Sequence, residues 1–244
     1  KGPFKVAKGQ VTDDSEMTIA LFKSIYKNKK YDKEDVAKAY IRWIKSDPVD
    51  VGLTTRKALL NAKNYKDTVR NAKKYNQNSL SNGFLMRIMP LAIVGMGLIA
   101  PNKDLDKYIK EEVLMTHPDK ICYYTAKLYV KILIYLILKG KLYKDKKENV
   151  HQGGGMSNES IEKEALRIID EDEFINSSAL KRLVLSSRKT PYYVNRFVSG
   201  SYDIDGESMG FMFVSLQISF YELYNAKSYE SGMRDIIKYG GDTD

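Results

Sequence analysis

The sequence predicts an all-α protein, and three observations support this class. Apolar residues recur at helical spacing over most of the chain, alternation typical of strands is scarce, and short segments with Gly, Pro, Asp or Asn separate the periodic stretches. Apolar residues make up 43% of the 244 residues and charged residues 29%, which is enough apolar material for a core and excludes extensive disorder. We expect a single compact multi-helix domain over residues 1–244.

The helices are predicted from their apolar stripes, taken in chain order. The stripe of Met17, Leu21 and Ile25 indicates a first helix, and that of Val36, Tyr40, Trp43 and Ile44 a second. The same periodicity predicts helices near Arg56–Ala62, Phe84–Gly97, Leu105–Met115, Ile121–Leu138, Ile161–Ile169, Ala179–Ser186, Ser208–Tyr224 and Tyr229–Tyr239. On local grounds, the segment before the first stripe is a helix start, with Asp13 as N-cap and Glu16 as its capping-box partner.

Charge and composition limit the possible partners. The formal net charge is +9, but the basic residues are scattered among acidic ones and accompany no zinc or nucleic-acid motif, so we expect no specific nucleic-acid binding. A single cysteine, Cys122, excludes an internal disulfide, and no signal-peptide pattern opens the sequence, which favours a cytoplasmic location. The apolar segments Ile88–Ala100 and Leu128–Leu138 fall short of the ~20 residues of a membrane span, so we expect no membrane association.

Two acidic clusters stand near the ends of the sequence, Thr12-Asp13-Asp14 and Asp242-Thr243-Asp244. Both supply carboxylate and hydroxyl oxygens, which suit Mg²⁺, Mn²⁺ or Ca²⁺ rather than Zn²⁺. Carboxylates two residues apart do not share a helix face, so they converge only from an irregular turn or a helix start. Four aspartates are enough to hold two such ions, while a capping role for the first cluster and a polar chain end for the second remain open.

Five sequence blocks occur in a fixed order, and together they resemble the ADP-ribosylglycohydrolase family. The blocks are Gly9–Met17, Asp50–Leu59, Ser81–Pro90, Thr116–Pro118 and Gly240–Asp244. That family includes the dinitrogenase-reductase-activating glycohydrolase and the ADP-ribosyl-arginine and ADP-ribosyl-serine hydrolases. The resemblance implies an all-α fold with two divalent cations, Mg²⁺ or Mn²⁺, in a cleft that binds ADP-ribose.

The resemblance also assigns roles to individual residues. It implies that the two acidic clusters are the metal ligands, namely Thr12, Asp13, Asp14, Asp242 and Asp244. It places Ser79, Ser81, Asn82 and Gly83 at the ADP-ribose cleft, and His117 at the phosphate–ribose region of the ligand. Tyr202 matches an aromatic residue that packs on the ligand, although an ordinary loop tyrosine remains an equal alternative.

The activity implied is the metal-assisted hydrolysis of a glycosidic bond, N- or O-linked, between ADP-ribose and a side chain or small acceptor. Asp13 and Asp50 are the candidate catalytic carboxylates, with Asp50 or a metal-activated water as the base. The sequence leaves the acceptor open among arginine, serine and others, and it favours a monomer. An inactive, crystallin-like relative that still binds ADP-ribose is the alternative, since that family includes a lens crystallin.

The chain departs from the resembled family at both ends. Family members usually begin with a Gly-rich segment that ends in a glutamate near the metals, and here 11 residues precede Thr12. The last block usually continues with a Thr or Ser ligand, and here the sequence ends at Asp244. We therefore expect a domain truncated at both ends, whose activity in this form is open.

Overall fold

The structure is a computed structural model that describes residues 6–98, 104–145, 156–171, 177–193 and 208–241. These residues form helices joined by turns and contain no β-strand, which confirms the predicted all-α class. They belong to two compact units, Lys1–Val130 and Lys131–Thr243. Every predicted site residue that the structure describes lies in the first unit.

The first unit is built from short helices around an apolar core. The helices are α1 (Asp13–Asn28), α2 (Lys33–Lys45), α3 (Leu53–Leu59), α4 (Tyr65–Tyr75), α5 (Pro90–Gly95), α6 (Leu105–Leu114) and the first part of α7 (Lys120–Asp145). Helix α1 packs on α2, and α3 packs on α4. Helix α2 also contacts α3, α4 and α6, while α5 contacts α1 and α6. A single turn of 3₁₀-helix, Asn82–Phe84, lies between α4 and α5.

The first two helices form as their apolar stripes predict. Met17, Leu21 and Ile25 on α1 have no exposed surface, and neither have Val36 and Tyr40 on α2. Because residues three or four apart share a helix face, these stripes face each other across the α1–α2 contact. Their burial fixes the start of α1, which carries the first acidic cluster.

The predicted cap of α1 is wrong by one residue. The helix begins at Asp13, so the N-cap is Thr12, which has an extended backbone and makes no side-chain capping hydrogen bond. The Glu16 carboxylate accepts a hydrogen bond of 2.6 Å from Trp43 Nε1 on α2, which ties the first turn of α1 to its neighbour. The Thr12 hydroxyl is therefore not used to cap the helix.

The helix predicted over Phe84–Gly97 is interrupted. The 3₁₀ turn is followed by non-helical residues, and α5 begins only at Pro90. Proline has no N–H, so it cannot donate to the Met86 carbonyl as a continuous helix would require. The Thr18 hydroxyl of α1 lies 3.2 Å from that carbonyl and 2.7 Å from the carbonyl of Asp14, so its single proton is shared between the two.

Helix α4 was not predicted from periodicity. Its buried residues are Thr68 and Ala72, which are small and weakly apolar, so they give no apolar stripe. A local capping signal was present, since the Asn64 side chain accepts a hydrogen bond of 2.9 Å from Asp67 N. The helix is stabilised by this cap and by its packing on α3.

Helix α7 is longer than its predicted apolar segment. The stretch Lys120–Lys139 is long and apolar enough to cross a membrane by length and composition, although core helices of soluble proteins pass the same test. Its first half is buried, with Cys122, Ala126, Leu128 and Val130 at most 1% exposed. The prediction of a buried helix is confirmed there, whereas the prediction that this segment is too short for a span is wrong.

The second unit contains the rest of α7 and four further helices in its described part. These are α8 (Asn158–Asp170), α9 (Ser177–Ser186), α10 (Met212–Asn225) and α11 (Tyr229–Tyr239). Helix α8 packs on α9, and α10 packs on α9 and α11. Their positions agree with the predicted helices, apart from a start of α10 four residues later than Ser208.

Candidate functional site

Three hydroxyl groups from two separate parts of the sequence meet in the first unit. Thr54 Oγ1, in the first turn of α3, lies 2.7 Å from Ser79 Oγ and 3.3 Å from Ser81 Oγ. Ser79 and Ser81 lie in the turn that leads into the 3₁₀-helix, 3.4 Å apart at their hydroxyls. All three side chains are half-buried, so this hydroxyl cluster combines internal hydrogen bonds with access to solvent.

His117 lies directly behind the hydroxyl cluster. Its Nε2 is 2.9 Å from Ser81 Oγ, and its Nδ1 is 2.8 Å from the neighbouring Thr116 Oγ1. The ring has no exposed surface and makes an edge contact with Phe84, with 4.9 Å between ring centroids. Burial, reinforced by the positive charge of Arg87, lowers the pKa of His117 to about 3, so the imidazole is neutral near pH 7. The buried His117 ring is thus connected to the solvent-accessible hydroxyl cluster by its hydrogen bond with the half-buried Ser81.

A buried ion pair supports the histidine from the opposite side. Arg87 and Glu112 have no exposed side-chain surface, and Arg87 Nε lies 2.9 Å from Glu112 Oε1. Arg87 also donates to the Gly83 carbonyl and, at 2.8 Å, to Thr116 Oγ1. Burial is the largest single influence on the pKa of Arg87 and lowers it, but Glu112 and Tyr40 together outweigh burial, so the pKa of the guanidinium is raised. Arg87 is thus a fixed cation that joins the 3₁₀ turn to the end of α6.

Asn76 and Gly83 close the framework of the site. Asn76 Nδ2 donates to the Thr54 carbonyl at 2.8 Å and to the Thr116 carbonyl at 3.0 Å, joining two of the sequence blocks. Gly83 is closely packed, because a Cβ there would lie 3.3 Å from Thr55 Oγ1 and 3.7 Å from His117 Cε1. A Cβ at this position would press on the Thr55 hydroxyl and touch the histidine, which gives a packing reason for glycine here.

The first acidic cluster is attached to the same framework through α1. Thr12 and Asp13 are 7% and 6% exposed, and Asp14 is half-buried in the first turn of the helix. One turn later, the Thr18 hydroxyl lies between the carbonyl of Asp14, at 2.7 Å, and that of Met86, at 3.2 Å, which follows the 3₁₀ turn. Blocks one to four of the sequence are therefore linked within one unit: the first block by its helix, the others by direct hydrogen bonds.

The remaining predicted residues are only partly tested. Asp50 is half-buried, two residues before the N-cap of α3, and Asn82 is half-buried at the start of the 3₁₀-helix. Tyr202, Asp242 and Asp244 lie outside the described residues. Within the described ranges no three His, Cys, Asp or Glu side chains form a group that could hold a metal ion. The metal site thus stays a prediction, as do the catalytic and ligand-binding roles.

Several residues of the framework were not predicted as site residues. Arg87 and Thr116 lie inside recognised blocks, whereas Asn76, Glu112 and Tyr40 lie outside them. A signal for Glu112 was available, since it shares the buried face of α6 with Ile109 and Val113. A charged residue on an apolar stripe usually has a buried partner, but the sequence does not identify that partner as Arg87.

The described surface also has a groove of about 280 Å³ between α1 and α2. Its lining includes Lys23, Lys27, Asp35 and Arg42, and it contains no residue of the hydroxyl cluster. Only Glu16 among its lining residues belongs to a sequence block. The chemistry of the blocks therefore points to the hydroxyl cluster rather than to this groove.

A sequence model of ADP-ribosylglycohydrolases matches residues 2–244. The chain belongs to the ADP-ribosylglycohydrolase family. The match extends over both compact units, in keeping with a fold of this family type. The resemblance drawn from the five blocks is thereby confirmed.

Three curated relatives are similar to this member of the family. A putative ADP-ribosyl glycohydrolase of Acanthamoeba polyphaga mimivirus is 27% identical over 252 residues, which cover 100% of this chain and 69% of the relative. The ADP-ribosyl-dinitrogen reductase glycohydrolase of Rhodospirillum rubrum is 32% identical over 116 residues, 48% of this chain and 37% of the relative. An ADP-ribosylarginine hydrolase of Pseudomonas putida is 29% identical over 99 residues, which cover 38% of this chain and 26% of the relative.

Proposed function

We propose that this protein hydrolyses the bond between ADP-ribose and an acceptor, at C1 of the distal ribose. Family membership and the names of the relatives support ADP-ribosyl hydrolase activity. The observation that carries the proposal is the hydroxyl cluster of Thr54, Ser79 and Ser81, backed by His117 and built from residues far apart in the sequence. ADP-ribose has many oxygen acceptors, and a half-buried group of hydroxyls can bind ribose and diphosphate oxygens.

The proposed substrate is an ADP-ribosylated protein or a small ADP-ribosylated molecule. Two of the relatives bear names that specify ADP-ribosyl-dinitrogen reductase and ADP-ribosylarginine as their substrates. Both alignments cover less than half of this chain, so the acceptor does not transfer from them. The bond type, N- or O-glycosidic, is likewise to be determined with a panel of acceptors.

Divalent cations fit the chemistry of the first acidic cluster. The Thr12 hydroxyl makes no capping bond, and the nearly buried Asp13 carboxylate and the half-buried Asp14 carboxylate add hard oxygen donors at the start of α1. We propose that these residues hold Mg²⁺ or Mn²⁺ together with Asp242 and Asp244. Such an ion supplies charge stabilisation and orientation of oxygen ligands.

The chain's own residues have separate proposed roles in the reaction. The hydroxyl cluster and the Asn82 amide orient the ligand, while neutral His117 donates to Ser81. The Asp50 carboxylate accepts the proton of the attacking water as the bond to C1 breaks. The leaving acceptor takes up a proton, and the ribose C1 gains the hydroxyl.

The test is ADP-ribose release in the presence of Mg²⁺ or Mn²⁺. Peptides ADP-ribosylated on arginine or on serine, together with a small ADP-ribosylated metabolite, form the substrate panel. Release from at least one substrate is expected, with Asp50→Asn lowering kcat by roughly 10²–10⁴ because a general base is lost. Asp47→Asn is the matched control, since Asp47 is exposed in the same loop with a φ of 55°, a conformation that asparagine tolerates.

The outcomes separate the parts of the proposal. No release from any substrate would favour the inactive, ADP-ribose-binding relative over a hydrolase. Release that is unchanged in Asp50→Asn would support the hydrolase activity but exclude Asp50 as the base. Equal losses in Asp50→Asn and Asp47→Asn would assign the effect to the loop rather than to the carboxylate.

A further inference from the structure

We propose that Arg87 and Thr116 are positioning residues that fix which nitrogen of His117 carries the proton. Through them the Nε2–H group is directed at Ser81, and the hydroxyl cluster is oriented for binding. The value of this arrangement for ligand binding rests on the proposed function, but the proton position itself does not. Arg87, Thr116 and His117 have no exposed surface, so solvent does not compete for their hydrogen bonds.

The first step is the direction of the hydrogen bond between Arg87 and Thr116. A guanidinium group only donates, so Thr116 Oγ1 accepts from Arg87 Nη2 at 2.8 Å. The Thr116 hydroxyl then has one proton to donate. Among the described residues its other hydrogen-bond partner is His117 Nδ1, at 2.8 Å. A buried hydroxyl proton without an acceptor is costly, so Nδ1 accepts.

The second step follows from the neutral state of the imidazole. A neutral histidine has one ring proton, and if Nδ1 accepts from Thr116 the proton is on Nε2. Nε2 lies 2.9 Å from Ser81 Oγ and donates to it. The opposite tautomer would leave Nε2 as an acceptor and would require another acceptor for the Thr116 proton.

The third step concerns the order of protons in the hydroxyl cluster. Because Ser81 Oγ accepts from His117, its own proton is free to point to Thr54 Oγ1, at 3.3 Å. Thr54 then donates to Ser79 Oγ, at 2.7 Å. The Ser79 proton at the half-buried end of this series has Ser81 Oγ as its acceptor at 3.4 Å, a long contact that an oxygen of the ligand can replace. The opposite tautomer of His117, in which Nε2 accepts from Ser81, would reverse this order of donors.

The ion pair between Arg87 and Glu112 fixes the buried end of this series of hydrogen bonds. Glu112 Oε1 accepts from Arg87 at 2.9 Å and from Tyr40 at 2.9 Å, and Tyr31 donates to Oε2 at 3.4 Å. The guanidinium also donates to the Gly83 carbonyl, so its orientation is fixed by partners on two sides. The fixed guanidinium therefore keeps its Nη2 donor pointed at Thr116 Oγ1.

The test is the nitrogen spectrum of His117 in ligand-free protein. The chain has two histidines, His117 and His151, so ¹⁵N-histidine labelling gives a pair of ring-nitrogen signals from each, and His151→Gln leaves the pair of His117. The expected spectrum shows a protonated Nε2 and an unprotonated Nδ1. A protonated Nδ1 in the unaltered protein would overturn the proposal, whatever the result of the hydrolase assay.

Thr116→Val and Thr116→Ser form the matched pair of variants. Valine keeps the shape but removes the hydroxyl, so the Nε2-protonated form should lose its preference and ADP-ribose affinity should fall several-fold. Serine keeps the hydroxyl, so Thr116→Ser should retain both the Nε2-protonated form and the ADP-ribose affinity. An unchanged His117 spectrum in Thr116→Val would overturn the role of Thr116, because a merely structural residue would leave the tautomer in place. If Thr116→Val does not fold, the spectrum of the unaltered protein still decides which nitrogen of His117 carries the proton.

Discussion

His117 has an unusual environment for a histidine. Its ring is fully buried, and burial together with the nearby Arg87 charge lowers its pKa to about 3. The imidazole is therefore an uncharged donor and acceptor at every pH at which the protein is expected to act. A change in activity between pH 6 and 7 would have to come from another group.

The buried imidazole makes stability depend on pH. The pKa in the folded state is about 3 and the unfolded value about 6.5, so the unfolded chain binds an extra proton between these values. Stability should fall as the pH drops below 6.5, by about 2 kcal/mol at pH 5 from this group alone. Denaturant unfolding of the unaltered protein and of His117→Gln at pH 7 and pH 5 checks this, because glutamine lacks the titration. Parallel pH dependence of the two proteins would contradict the burial of an uncharged His117.

Two adjacent glutamates allow a test of the buried ion pair. Glu112 pairs with Arg87 at zero exposure, whereas Glu111 pairs with Lys33 at 2.8 Å, with side chains 16% and 41% exposed. Glu112→Gln leaves the Arg87 charge buried without its partner and should cost about 3–5 kcal/mol of stability. Glu111→Gln is the matched control and should cost at most about 1 kcal/mol. Similar unfolding free energies for the two variants would show that Arg87 gains little from Glu112.

At the scale of helices, the site depends on an interruption rather than on a regular element. Pro90 ends the hydrogen-bonding pattern expected over Phe84–Gly97, and the short 3₁₀ turn places Gly83 beneath His117. The Met86 carbonyl left by this break shares the Thr18 hydroxyl proton with the carbonyl of Asp14, one turn earlier. The first acidic cluster and the hydroxyl cluster are thereby held in a common framework.

The hydrogen bond from Thr18 to Met86 is directly testable. Thr18→Val keeps the branched shape and removes the hydroxyl that lies 3.2 Å from the Met86 carbonyl and 2.7 Å from the Asp14 carbonyl. It should destabilise the protein by about 1 kcal/mol, because these partly buried carbonyls lose the donor that they share. This corresponds to a melting temperature lower by about 2–4 °C for a chain of this size. Thr18→Ser retains the hydroxyl and should stay close to the unaltered protein. Thermal unfolding of both variants gives the comparison, and equal melting temperatures would remove this contact from the framework.

The sequence predicted helices where a wide apolar stripe is buried and failed where the buried face is small. It predicted α1 and α2 from large side chains, but it did not predict α4, whose buried residues are Thr68 and Ala72. It predicted a continuous helix across Pro90, because periodicity alone does not count the missing N–H. Both errors arise from local hydrogen bonding, which an apolar pattern does not describe.

At the scale of the whole molecule, the ordered blocks predicted the site better than any physical pattern did. They located Ser81, Gly83 and His117, which the structure joins through direct contacts. They did not locate Glu112 or Asn76, because a partner 25 or 40 residues away leaves no periodic signal in a single sequence. The net charge of +9 favours a diphosphate ligand in general terms, without identifying its position.

The proposed cation site predicts a metal-dependent gain in stability of the whole chain. An ion that binds only the folded state stabilises it by RT ln(1 + [M]/Kd), which is about 2.7 kcal/mol at a hundredfold excess over Kd. The melting temperature should therefore rise by about 5–11 °C when Mg²⁺ or Mn²⁺ is added. Asp13→Asn removes a nearly buried carboxylate at the start of α1 and should abolish most of this rise, as should Asp242→Asn.

Asp32→Asn is the matched control for this metal test. Asp32 is the N-cap of α2, where its side chain accepts from Glu34 N and Asp35 N, and asparagine caps helices as well as aspartate does. This variant loses the same charge at a helix start and should keep the full metal-dependent rise. Without metal, Asp13→Asn should melt no lower than the unaltered protein, because close carboxylates repel one another when no cation is bound. A rise that survives in Asp13→Asn, or that disappears equally in Asp32→Asn, would show that the cations act elsewhere on the chain and that the acidic start of α1 serves the helix alone.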